Sequence, residues 1–332
     1  MDFYSIVAIS YLLFVMYAAN QADIGGTPGK PITRILMQGV VSLIFLIAPF
    51  TLMSMYFSTQ PEFETLPIDP GSGILVAILA VIAGIIAYNT MHSETFQAWL
   101  GQRLSAYQPA SLVHQTAVIV CLLLAVNTVF GFVVGGGLTG VAETFEQTGI
   151  SPTSALFELS LWVIAALLGV GFAIRRTWSD TRQRLGLSIP KIDEIVTGIA
   201  VGAALFIAQI AFISVWLSLF PENATEQSVA AQAMTNAINT LPLALLIAVT
   251  SSIGEEIIMR GALQPIFGAW VISIFFALLH SQYLFTPIAL FIFGLSMALA
   301  RLRSEYNTST AIIAHFVYNA LPFVLLAIGM NV

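Results

Sequence analysis

From Ile35 to Tyr56 the chain carries no charged side chain, and the same is true from Gly73 to Met91. An apolar run of about 20 residues, rising about 1.5 Å per residue as a helix, crosses the roughly 30 Å hydrocarbon core of a bilayer. Runs of this kind are read at Phe3 to Ala19, Ile35 to Tyr56, Gly73 to Met91, Ser111 to Val134, Ser154 to Ile174, Ile195 to Phe220, Val229 to Gln264, Gly268 to Leu284, Pro287 to Leu302 and Ser309 to Met330. Barrel strands would alternate with a period of two, and these runs do not. The expected fold class is therefore all-α, a polytopic transmembrane helix bundle of about ten spans.

Composition removes the other classes. Charged residues make up 8% and hydrophobic residues 58% of the 332, where a soluble domain is about a quarter charged. Eleven Lys and Arg against 17 Asp and Glu leave a net charge of -6. No basic stripe exists for a nucleic acid to bind, so the expected partner is the lipid bilayer and not nucleic acid. The one cysteine, Cys121, lies in the run AVIVCLLL and reads as a packed residue, with no disulfide framework or thiolate cluster. Asp2 stands where a secretory signal would carry a basic segment, so the first run reads as a retained anchor.

The basic residues set the orientation. Lys30 and Arg34 fall in the first connection, Arg103 in the third, and Arg175, Arg176, Arg182, Arg184 and Lys191 in the fifth. The second, fourth and sixth carry Glu62, Glu64, Asp69, Glu143, Glu146 and Glu222 without a Lys or Arg. By the positive-inside rule the odd connections are cytoplasmic, and both termini face outward if the count is ten. Arg301 and Arg303 at the end of the ninth run fit this scheme. The basic stretch suggests a division into residues 1–176, five spans of unassigned role, 177–192, a cytoplasmic connection, and 193–332, a second membrane region. The expected location is the cell membrane, as a multi-pass protein. Gly135, Gly136 and Gly137 form no phosphate loop, because no strand precedes them and no Lys-Ser/Thr follows. Asn223-Ala-Thr has the glycosylation pattern and carries no weight.

An ionisable side chain at bilayer depth costs about 2.5–3.5 kcal/mol on insertion scales and needs a reason. The first half offers Glu158 and His114, each alone and near a run end. The second half concentrates such residues: Glu255, Glu256 and Arg260 in SSIGEEIIMRG, His280 in FFALLHS, and His315 with Asn319 in AHFVYNA. Glu256 and Arg260 are four apart and can pair on one helix face, which leaves Glu255 about 100° round the helix and free. Phe276 and His280 share a face in the same way, as do His315 and Asn319. Glu255 and His280 both lie roughly 13 to 18 Å from the turn at Pro265 and Gly268, and His315 lies roughly 9 Å into the last run from the same side. One carboxylate, two imidazoles and an amide can converge inside the C-terminal bundle. Ser251 and Ser252, one turn earlier, are expected to bond back to helix carbonyls.

Such a set can take a proton from water and stabilise the oxyanion formed when water attacks a carbonyl. Alternatively, His280 and His315 hold a divalent metal such as zinc, with Glu255 as base or ligand. No serine or cysteine at comparable spacing argues for a covalent nucleophile. Taken singly, Glu256 with Arg260 reads as a structural buried pair and either histidine as a hydrogen-bonded core residue. Their joint occurrence at one depth favours a site. His92 and His114 lack carboxylate neighbours at helical spacing and read as incidental.

Glu-Glu-x-x-x-Arg at Glu255 to Arg260, Phe-x-x-x-His at Phe276 to His280 and His-x-x-x-Asn at His315 to Asn319, in that order, resemble the CPBP family of intramembrane proteases. That family includes CAAX-prenyl endopeptidases and bacteriocin-processing and immunity proteins once called Abi. Arg184-Leu-Gly-Leu187 and the run PIALFIFGLSMALARLR are similar to it too, so the likeness spans roughly Arg184 to Met330. One departure is Ala298 after Gly294, where a second glycine is common. The resemblance implies that Glu255 activates water, that Glu256 orients and is held by Arg260, that His280 assists Glu255, and that His315 and Asn319 form the oxyanion site. It implies an endopeptidase that cuts a membrane-associated or prenylated peptide or protein near the cytoplasmic face, with metal-dependent and metal-free chemistry both open. Two other readings stand beside it: a non-catalytic immunity or scaffold protein, and a proton-coupled transporter. No inverted repeat supports the transporter.

Overall fold

The structure is a computed structural model and describes residues 3–25, 29–60, 68–220, 224–238 and 240–330. Asp2, Glu62, Glu64, Glu222 and Asn223, used in the argument above, lie outside the described residues. The helices are α1 (Phe3–Gly25), α2 (Lys30–Ser58), α3 (Pro70–His92), α4 (Glu94–Arg103), α5 (Leu112–Val134), α6 (Gly137–Thr148), α7 (Pro152–Val170), α8 (Trp178–Leu185), α9 (Ile192–Leu219), α10 (Ala224–Ala237), α11 (Leu241–Glu256), α12 (Gln264–Phe267), α13 (Ala269–Leu279), α14 (Ile288–Glu305) and α15 (Thr308–Ala327). Among the described residues no sheet forms, and the one β-bridge, Phe172 with Arg176, is isolated. The protein is all-α.

Among the described residues eight helices are long and apolar enough to cross a membrane: Tyr4–Gly25, Lys30–Ser58, Pro70–His92, Leu112–Val134, Pro152–Val170, Ile192–Leu219, Leu241–Phe267 and Thr308–Ala327. This is a polytopic integral-membrane protein. The ten expected runs reduce to eight because α13 has 11 residues, about 16 Å of helix, roughly half the hydrocarbon thickness. Its partner α14 ends in Arg301, Arg303 and Glu305. The two pack against each other as a hairpin, so removing the pair from the count leaves the parity of the spans unchanged. The seventh run, expected from Val229, begins instead at Leu241. There Thr240 caps the helix through Oγ1 to the amide of Leu243, and Pro242 occupies its first turn.

The chain clusters into two compact units. The first comprises Met1–Gly137, Leu167–Thr181 and Pro265–Gly268. Its interior is built by α1, α2, α3 and α5 around fully buried Val15, Met37, Val40, Ile44, Val76 and Ala80. Asp23 at the end of α1 accepts from Ser111 Oγ at 2.6 Å and from the amide of Leu112 at 2.9 Å, satisfying an orphan donor where α5 begins. His114 accepts from the amide of Gln108 at 2.9 Å, and His92 lies 3.2 Å from Gln38 Oε1. Both have structural partners. Cys121, expected to be packed, is only half-buried on α5.

The second unit comprises Leu138–Ala166, Arg182–Gln264 and Ala269–Val332. Here α15 lies between α9 and α11. A Cβ on Gly198 of α9 would stand 2.8 Å from Ile313 Cγ2, and one on Gly202 would run into the carbonyl oxygen of Ala314. Two glycines four apart thus let the α15 backbone close on α9, the small-residue contact by which membrane helices pack without a hydrophobic driving force. Ala314 precedes His315, so this contact fixes the depth and rotation of that histidine.

Candidate active site

Helix α11 does not continue as an α-helix beyond Glu256. Residues Ile257–Leu263 form a π-helical turn, and the amide of Gln264 donates to the carbonyl of Met259, five residues back. Pro265 supplies the cause: it lacks an N–H and its ring crowds the carbonyl four residues earlier, that of Gly261, so the helix widens ahead of it. Arg184 takes up the slack, Nη1 donating to the carbonyl of Gly261 at 2.7 Å and Nη2 to that of Ala262 at 3.0 Å.

Glu256 and Arg260 flank the start of this turn, and both are 0% exposed. Arg260 Nε lies 3.1 Å from Glu256 Oε2. Its Nη2 donates to the carbonyl of Ser296 at 3.3 Å and to Ser296 Oγ at 3.2 Å, and Ser296 Oγ donates on to Ser273 at 3.0 Å. The guanidinium carbon sits 4.7 Å from the centre of the Phe276 ring. Carboxylate, backbone, hydroxyl and π-face replace part of the water that the cation lost, and Nη1 has no hydrogen-bond partner among the described residues.

The other oxygen of Glu256 faces α15. Oε1 lies 2.9 Å from Nδ1 of His315, which is 3% exposed. His280, at the end of α13, places its Nδ1 2.7 Å from the carbonyl of Phe276. A carbonyl or an ionised carboxylate only accepts, so each Nδ1 carries the proton and each Nε2 is left for water, substrate or metal. The Phe276 ring stands between the imidazoles, 4.4 Å from His280 and 6.0 Å from His315 between ring centres.

Glu255 is outside the Glu256–Arg260 pair, as the spacing predicts. Its Oε2 is buried and accepts no hydrogen bond from the protein, and it lies within electrostatic reach of His315 and of Glu158 on α7. Among the described residues no hydrogen bond joins it to His280. Asn319 Nδ2 donates to Ser251 Oγ at 3.1 Å, leaving its second N–H. Ser252 bonds back to the carbonyls of Ala248 and Val249 as expected, whereas Ser251 receives Asn319. All six singled-out residues lie in the second unit.

Three features escaped the sequence reading. The π-turn has its cause in Pro265, and the Gly198-x-x-x-Gly202 spacing was visible. Most of α7 is the third: Leu138–Ala166 clusters with the second unit, which no local feature of that stretch announces. A Cβ on Gly254 would lie 3.2 Å from Trp162 and 3.5 Å from the Cα of Leu159. That glycine therefore brings α7 against α11 one residue before Glu255. A cavity of about 240 Å³ opens beside this contact, lined by α6, α7 and α11 and reaching Ser251.

A catalytic zinc takes three protein ligands. Among the described residues no group of three or more His, Cys, Asp or Glu side chains is placed to hold a metal ion. A metal held here would bind through the Nε2 atoms of His280 and His315, and no third ligand is placed with them among the described residues.

Residues 237–321 match the family model for the Type II CAAX prenyl endopeptidase, Rce1-like. The Rce1-like segment holds Glu255, Glu256, Arg260, His280, His315 and Asn319, and covers about a quarter of the chain. No curated protein and no solved structure matches the chain. Helices α6, α7 and α9 lie outside the Rce1-like segment, although they pack in the same unit.

Proposed function

We propose that the protein is an intramembrane endopeptidase that hydrolyses a peptide bond of a membrane-associated or lipidated substrate, with the site in the second unit. The observation that carries this reading is the buried Oε2 of Glu255, which accepts no hydrogen bond among the described residues and lies within electrostatic reach of His315, itself tethered through Nδ1 to Glu256. Similarity to the Rce1-like family over residues 237–321 supports it.

In this reading Glu255 takes a proton from water as the water oxygen bonds to the substrate carbonyl carbon. Neutral His280 presents an accepting Nε2, which orients the water. The carbonyl becomes an oxyanion, and the second N–H of Asn319 faces it. His315 adds a donor at Nε2 when it is an imidazolium, a charge that Glu256 balances at 2.9 Å. As the C–N bond breaks, Glu255 returns its proton to the leaving nitrogen, so water is divided between an acid and an amine. No step runs through a metal; a metal bound at His280 and His315 would polarise the carbonyl instead.

The test is cleavage of membrane peptides by the detergent-purified full chain. Glu255→Ala and His280→Ala abolish cleavage and leave the melting temperature unchanged if the reading is right. Wild-type rates in both variants overturn it.

A further inference from the structure

Glu158 is an exposed carboxylate six residues into the membrane-spanning helix α7, and the chemistry above gives it no task. It lines the cavity of about 240 Å³ together with Phe145, Ile150, Ser154, Thr250 and Ser251 among others. One oxygen, Oε1, receives Nε1 of Trp162 at 3.3 Å. Among the described residues its other oxygen has no protein donor. One hydroxyl beside it is an acceptor as well: Thr250 Oγ1 donates to the carbonyl of Leu246 and keeps its lone pairs, whereas Ser154 Oγ already accepts from the amide and hydroxyl of Ser151. Ser251 Oγ already receives Asn319.

A cavity with apolar walls, one carboxylate and a hydroxyl acceptor is complementary to an aliphatic stem that ends in a cationic donor. Its floor, Ser251, precedes Glu255 by four residues, about 6 Å along the helix. Whatever fills the cavity therefore lies next to the bond that Glu255 would attack. It lies toward α6, which carries Glu143 and Glu146, and the short α6–α7 connection; neither has a Lys or Arg. The sequence reading placed the opening of the site on the opposite, basic side.

Resting on the protease reading, we infer that this cavity is a substrate subsite for a lysine-like side chain beside the scissile bond, with Glu158 as its counter-charge and specificity-determining residue. The region that supplies Glu158 lies outside the Rce1-like segment, so this preference belongs to the added helix α7.

The experiment uses the full chain carrying Glu255→Gln, in detergent micelles, and fluorescent peptides of one hydrophobic sequence. A single lysine, norleucine or glutamate is walked along the peptide, and affinity is read by anisotropy. At one register lysine binds about two- to fivefold tighter than norleucine, the order of an exposed ion pair. Glu158→Gln removes that preference without changing the melting temperature, Glu158→Lys turns it toward glutamate, and Ser154→Trp weakens every peptide at that register by filling the space. No lysine preference at any register, or a preference that survives Glu158→Gln, overturns the inference. With Glu255 restored, a lysine preference without cleavage overturns the protease reading alone, and cleavage without the preference overturns the subsite alone.

Discussion

Glu256 holds His315 across 59 residues of chain, Oε1 to Nδ1 at 2.9 Å, while its second oxygen holds Arg260 at 3.1 Å. One buried carboxylate thus fixes both the π-turn and the histidine of α15. Breaking the set from either end has different consequences.

Arg260→Ala leaves Glu256 as an uncompensated charge in a fully buried position. We expect a loss of about 3–5 kcal/mol of stability, read as a lower melting temperature in detergent. Adding Glu256→Gln to that variant should recover part of the loss, because the orphaned charge is then gone. An unchanged melting temperature in Arg260→Ala would refute the pairing.

Glu255→Gln keeps shape and burial and removes the base. Cleavage should fall by about 10²–10⁴, with the melting curve superimposed on that of the wild type.

Asn319→Ala removes a donor at the carbonyl, and kcat should drop by about 10²–10³ with little change in KM. Ser251→Ala deletes only the acceptor that steadies Asn319. A smaller fall in kcat is expected there, and an equal fall would mean that Ser251 touches the substrate itself.

Gly202→Leu forces α9 away from the carbonyl of Ala314. Overpacking of this kind costs about 1–3 kcal/mol or more, and cleavage should be lost with it because His315 moves. Gly294→Ala is the control: a Cβ there meets nothing within 4 Å, so the helix should gain about 0.5–1 kcal/mol. Thermal unfolding of the two variants side by side decides between them.

Chelation tests the donor set. With two imidazoles and no third ligand placed among the described residues, the glutamate route predicts that cleavage survives a strong chelator and that elemental analysis of purified protein finds no stoichiometric zinc. Zinc that disappears in a His280→Ala/His315→Ala variant would move the mechanism to metal-assisted hydrolysis.

Much of this arrangement was legible in the sequence, since a charge in an apolar run is a strong signal and fourfold spacing assigns it a face. Glu256 with Arg260 and the freedom of Glu255 follow from those two facts. The tie from Glu256 to His315 does not, because spacing orders residues along one helix and says nothing of which helix lies opposite. Hydropathy counted α13 as a span because it does not register that the helix ends at His280. The part played by α7 was hidden for a similar reason: Gly254 and Trp162 are far apart in sequence, and nothing local in either announces the contact.

Arg184 grips the carbonyls of Gly261 and Ala262 just ahead of Pro265. A ribosome makes Arg184 some 77 residues before Gly261. The receptor for the widened turn is therefore synthesised before the turn itself, and the segment bearing Glu255 and Glu256 arrives at a dock already made. Assembly of the site is in this sense ordered by the direction of translation, and a chain lacking Arg184 would insert its helices and still pack α7 against Gly254, but would leave the carbonyls of the widened turn without their donor.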